Sequence, residues 1–122
     1  ILSFGFKYGA PIDADFIFDV RTLPNPHWQI ELRNQTGQAD DVKAFFDVYS
    51  EVDDTATDMI AFFTKWLPPF LHNNRHTVTI AIGCTGGKHR SVYIAEKLGE
   101  SLTQSLPKEM VVRIKHREKN RW

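Results

Sequence analysis

Residues 77–96 read TVTIAIGCTGGKHRSVYIAE, and the order of chemistry along this stretch decides the fold. The run 77–82 is β-branched and apolar, as a central buried strand requires. Gly83, Gly86 and Gly87 then free the backbone to turn. Beyond them Val92, Ala95, Leu98, Leu102 and Leu106 recur at helical spacing, which predicts a helix over 88–105. Residues 110–115 (MVVRIK) predict a closing strand. Strand 77–82, helix 88–105 and strand 110–115 make one βαβ unit, right-handed on general grounds. The fold class is therefore α/β: a small, mainly parallel sheet flanked by helices, with an anion loop at a strand-to-helix junction.

Upstream, 2–8 (LSFGFKY) and 15–21 (DFIFDVR) read as two further strands. Gly9, Pro11 and Asp13 punctuate a connection too short for a helical crossover, which leaves the pairing of these two strands open. Residues 22–39 read as one long loop stiffened by Pro24 and Pro26, with Trp28 as its anchor. Asp40 or Asp41 can cap a helix over 42–51, and Asp53 or Asp54 a second over 55–66. Ala56, Met59, Ile60, Phe63 and Leu67 share one face of the second. Pro68 and Pro69 end or bend it, and 70–74 add a further turn.

The 122 residues fit a single domain over 1–122, and nine Phe, three Trp and three Tyr supply a core. Fifteen basic and fifteen acidic residues balance, so no global field points to nucleic acid or membrane. The one cysteine, Cys84, excludes an internal disulfide and a Cys-rich zinc site. No apolar run approaches the ~20 residues of a membrane span, and the start lacks the apolar core of a signal peptide. A thiol in a glycine-rich loop points to a reducing compartment, hence a cytoplasmic protein. The chain opens at Ile1 already inside a strand pattern, which reads as a piece of a longer protein.

A buried strand entering a helix through glycines is where α/β proteins hold ligands. Unpaired N–H groups and a partial positive charge stand at such a helix start. Lys88, His89 and Arg90 add side-chain charge there, unfavourable to the dipole unless an anion offsets it. Three functional readings follow. Gly83 to Lys88 gives GxxxGK, one residue short of a nucleotide P-loop, and His89 replaces its magnesium-binding hydroxyl. Cys84 and Arg90 stand at Cys-x5-Arg, the spacing of a cysteine phosphatase, with Cys84 as nucleophile and Arg90 as clamp. However, Gly83 stands where that signature carries His, and no general-acid loop is visible. The third reading is a non-catalytic sensor of a phosphorylated small molecule. The plainest alternative is a turn that closes the βαβ unit with Cys84 as filler.

Asp19 lies within an apolar strand and needs a partner, Arg21 or Arg90. His27 sits between stiffening prolines and Trp28. Lys7 and Asn73 are weaker candidates. The C-terminal run carries Arg113, Lys115, Arg117, Lys119 and Arg121; alternation puts the first three on one strand face, a strip suited to RNA phosphates or to a solvated edge.

Three segments, FGFKYG (4–9), DVRTLPNPHW (19–28) and GCTGGKHRSVYIAE (83–96), together closely resemble the C-terminal domain of the RapZ/YvcJ family. The resemblance implies an RNase adapter rather than a phosphatase. Family members join an N-terminal P-loop domain to this one; that domain is absent here, so ATP or GTP is expected only there and no cofactor in this domain. The family implies binding of small regulatory RNA, presentation to an RNase E-like nuclease, and sensing of glucosamine-6-phosphate. By motif, Asp19, His27, Cys84, Thr85, Gly86, Gly87, His89 and Arg90 fall in its sugar-phosphate pocket, with Lys7 and Asn73 beside them. The resemblance leaves room for a homo-oligomer and implies no metal and no membrane.

Overall fold

All five residues of β3 (Ile80–Cys84) are buried, which places this strand inside the sheet. The computed structural model describes residues 1–122. β1 (Leu2–Gly5), β2 (Phe16–Asp19), β3 and β4 (Lys115–His116) form one sheet in the order β2-β3-β1-β4. Every pairing is parallel. Thus β1 and β2 do not pair: β3 lies between them, and their ten-residue connection crosses it without an α-helix. A 3₁₀ turn at Phe6–Tyr8 starts that connection and ends β1 earlier than residue 8.

The closing strand is shorter than its β-branched run predicts. Only Lys115–His116 are paired as β4, beside β1 rather than β3. The β3–α5–β4 crossover therefore spans β1. Residues 111–114 lead into it without forming strand, and the Arg113 carbonyl accepts from the Ile1 amino group at 2.7 Å.

The helices are α1 (Ile30–Arg33), α2 (Asp40–Asp47), α3 (Ser50–Trp66), α4 (Pro68–His72) and α5 (Arg90–Ser105). The 22–39 segment is thus not bare loop: it carries a 3₁₀ turn at Pro26–Trp28 as well as α1. α2 and α3 begin two and five residues before their expected starts. Ala39 and Tyr49 occupy the cap positions, without side-chain caps. Asp40, Asp41 and Asp53 instead lie in the first turns, where acids suit the dipole. Pro68 sits at the start of α4, where its missing N–H costs nothing.

Val52, Ala56, Met59 and Phe63 bury one stripe of α3. Phe63 is fully buried between the rings of Phe16 and Phe18, at 5.1 and 5.5 Å. Ile94, Ala95, Leu98 and Leu102 of α5 complete this core over the Ile80–Ile82 face. The opposite face is covered differently: Phe4, fully buried, packs edge-on against Phe6 at 4.8 Å, beneath the Arg117 guanidinium.

Phe63→Ala should lower the urea-unfolding free energy by about 3–5 kcal/mol. A loss below about 1 kcal/mol would contradict Phe63 as the pin between α3 and the sheet.

Candidate functional site

Because all strands are parallel, their carboxyl ends meet at one edge: Gly5, Asp19 and Cys84. Residues 85–89 leave β3 at this edge and deliver the chain to α5, sixteen residues long. The loop packs closely on β1. A Cβ on Gly5 would stand 2.6 Å from the Gly86 carbonyl carbon, while one on Gly86 would meet nothing within 4 Å. The outer side of Gly86 is therefore open. Gly87 has φ +71°, the left-handed region that favours glycine. The Lys7 N–H donates to the Thr85 carbonyl at 3.2 Å, so Lys7 flanks the loop.

Arg90 is the first residue of α5 and is 5% exposed. Its Nη1 donates to the carbonyls of Arg21 (2.6 Å) and Leu23 (3.2 Å), and Nη2 to the Thr85 hydroxyl at 3.3 Å. Its Nε is buried and has no acceptor. None of these partners is charged. The neighbouring carboxylate, Asp19, is committed to Arg21 through a forked pair, with Nη2 2.7 Å from Oδ2. That hydrogen bonding holds the Asp19 carboxyl below its usual range, with smaller help from the charges of Arg21 and Arg90. Arg21 also lies over the Phe6 ring at 3.9 Å.

His89 is buried, and its Nε2 donates to the Leu32 carbonyl at 3.2 Å, joining the loop to α1. Burial pushes this imidazole down, against the hydrogen bonds to the Gln35 and Leu32 backbone. The charges of Lys88 and His27 push the same way as burial. His27 is exposed; Asn25 accepts its N–H at 3.1 Å and Arg33 Nε donates to its carbonyl at 3.0 Å. Trp28 does not anchor this turn, being 76% exposed; the buried side chains there are Leu23, Pro26 and Leu32. Cys84 is 2% exposed, with its Sγ 3.1 Å from the Ser91 hydroxyl.

The edge thus gathers Lys7, Asp19, Thr85, Gly86, Gly87, His89 and Arg90 around the loop backbone, with His27 beside them and Cys84 beneath. Asn73 is not brought there. It ends α4 near the strand beginnings, where Phe70, Ile1, Ile80 and Val112 line a separate cleft of ≈ 470 Å³. No group of three His, Cys, Asp or Glu is arranged to hold a metal.

The C-terminal basic residues divide. Arg113, Lys115, Lys119 and Arg121 are exposed. Arg117 is instead engaged, donating to the Gly9 carbonyl at 2.6 Å and to Glu118 at 2.9 Å. Glu118 and Trp122 close on this edge: the Gly5 N–H at the end of β1 donates to Glu118 at 2.9 Å, and the Trp122 indole to the loop carbonyl of Gly87 at 3.0 Å. Sequence reasoning missed both. A lone acid in a basic run reads as surface, and only the unusual sequence of Glu118 amid five cations could have drawn notice.

The chain matches the family model described as the RapZ C-terminal domain over residues 1–120. It is 60% identical over all 122 residues to a nucleotide-binding protein of Psychrobacter sp. (strain PRwf-1), covering 39% of that protein. A nucleotide-binding protein of Psychrobacter cryohalolentis is 62% identical over 122 residues, with 38% of its length covered. One from Pseudomonas savastanoi pv. phaseolicola is 52% identical over 118 residues, 97% of this chain and 40% of that protein. The chain therefore spans about two-fifths of these relatives' length. With the family model matched over residues 1–120 and these relatives 52–62% identical, the chain belongs to the RapZ C-terminal domain family.

Proposed function

We propose that this domain is the sensor part of an RNase adapter and binds a phosphorylated amino sugar, glucosamine-6-phosphate or a close analogue, without chemistry on it. The observation that carries this reading is Arg90: a buried guanidinium whose Nε has no acceptor and whose other partners are neutral. Buried charges are ordinarily paired, so the site is incomplete without an anion. The phosphoryl group sits over Gly86 and Gly87, taking loop N–H groups and Arg90, with Lys7 adding charge. Asp19 and His27 take the sugar hydroxyl or amino groups. Cys84 and Thr85 form the floor, and His89, kept neutral by burial, wedges the loop against α1.

In the same reading, the exposed cations Arg113, Lys115, Lys119 and Arg121, with Arg117 behind them, take the phosphates of a small regulatory RNA. An RNase E-like nuclease is the downstream partner and the cytoplasm the location. Nucleotide binding belongs to the remainder of a longer protein. No helix is long and apolar enough to cross a membrane.

Calorimetry with glucosamine-6-phosphate should give a 1:1 isotherm, and Arg90→Lys should weaken it at least ten-fold, the loss of a charge-assisted, fork-shaped contact. No heat with the wild type sinks the sensor reading. Phosphatase turnover that vanishes in Cys84→Ser replaces it with the catalytic one. RNA affinity should fall steeply with salt, and Lys115→Ala should reduce that slope by about 1; a flat salt curve removes RNA from the account.

His89 gives a pH prediction. Its folded-state pKa is depressed, so the unfolded chain binds the extra proton more readily. Stability contributed at neutral pH is then lost as pH falls below the ordinary histidine value of about 6.5. Urea unfolding of His89→Gln should show a shallower decline there than the wild type; an equal decline contradicts a buried neutral imidazole.

A further inference from the structure

The basic C-terminal run contains one acid, Glu118, and it is only 3% exposed. Its carboxylate accepts from the Gly5 N–H and from Arg117 Nε, both at 2.9 Å, with Arg121 Nε at 3.5 Å. A buried carboxylate is tolerated when such donors surround it. Its stem touches the loop. A Cβ on Gly87 would lie 2.6 Å from Glu118 Cγ, so the two residues fit only because one has no side chain. Trp122 holds the same peptide from beside it, through the 3.0 Å bond from its indole N–H to the Gly87 carbonyl. The indole is itself seated 5.5 Å from the His116 ring. His116 in turn bridges Ser3 at 2.7 Å and Glu96 of α5 at 2.8 Å.

The loop is therefore gripped from two directions. The end of β1 closes on Gly86 and Gly87, and residues 116–122 close on Gly87. The outer side of Gly86 is left open. The left-handed backbone at Gly87 serves this second contact as well as the anion.

We infer that Glu118 and Trp122 are positioning residues for the phosphate loop: they fix the Gly86–Gly87 backbone in its ligand-ready form without touching the ligand. This rests on the anion-site reading above for its effect on affinity, but not for its effect on the loop. The test uses Trp122→Phe, Trp122→Ala and Glu118→Gln. Amide hydrogen exchange is followed at Gly86, Gly87 and Lys88, with β3 amides as the internal reference. Inorganic phosphate and glucosamine-6-phosphate are titrated calorimetrically.

Trp122→Phe keeps the ring and removes the bond to Gly87. It should speed exchange at the loop, leave β3 unchanged and weaken both ligands roughly five-fold. Trp122→Ala should be at least as severe. Glu118→Gln should weaken binding roughly ten-fold, with the same local exchange signature. Loop exchange and affinity at wild-type values in both Trp122→Phe and Glu118→Gln overturn the inference. So does an effect in Trp122→Ala with none in Trp122→Phe, which would assign Trp122 to packing alone. Should Glu118→Gln fail to fold, Trp122→Phe decides. Should the wild type bind neither ligand, the anion reading fails, and loop exchange alone decides the positioning role.

Discussion

A guanidinium buried without a carboxylate of its own is the constraint on which this edge of the molecule depends. Arg90 ties three segments that are distant in sequence: the exit of β2 through Arg21 and Leu23, the loop through Thr85, and α5, which it begins. Removing a cation from water is expensive, and neutral carbonyls recover only part of that cost. Asp19 would be the natural counter-charge, but Arg21 occupies it. The arginine at the head of α5 is thereby left with neutral partners and an unpaired N–H. The anion proposed above would supply the missing charge.

The fold makes this arrangement by simple means. A parallel order β2-β3-β1-β4 brings the carboxyl ends of β1, β2 and β3 to one edge, so short turns can present Lys7, Asp19 and the glycine loop together. Glycine at positions 5 and 87 permits the backbones to touch. His89 and α1 close one side; Glu118 and Trp122 close another. The same C-terminal segment carries the exposed cations proposed for RNA, so the two proposed surfaces share a covalent and mechanical neighbour. Any coupling between them must be reciprocal.

The loop and its arginine were legible in sequence because glycines, a buried strand and a helical stripe are local signals. Helix α3 was legible for the same reason, through Ala56, Met59 and Phe63. Its start was misplaced because Asp53 and Asp54 look like caps, whereas here Asp53 serves the dipole inside the first turn. The insertion of β3 between β1 and β2 was not legible, since parallel pairing is set by non-local contacts. β4 fell short because Val111 and Val112 supply β propensity without a paired neighbour over that stretch. Trp28 reads as an anchor by type but points outward, and Pro26 does its work. Asn73, placed by resemblance, lies at the other end of the strands. Glu118 was hidden by its cationic surroundings, because burial of a single acid leaves no periodic trace.

The most direct measurement of the central claim is the ¹⁵Nε–¹Hε resonance of Arg90 during titration with glucosamine-6-phosphate. A saturable downfield shift of the Arg90 proton, absent from Arg75 at the opposite end of the strands, is the result expected of an N–H that gains a phosphate acceptor. An Arg90 resonance unmoved at saturating ligand would contradict the account, because the buried unpaired N–H would then not be the anion's site.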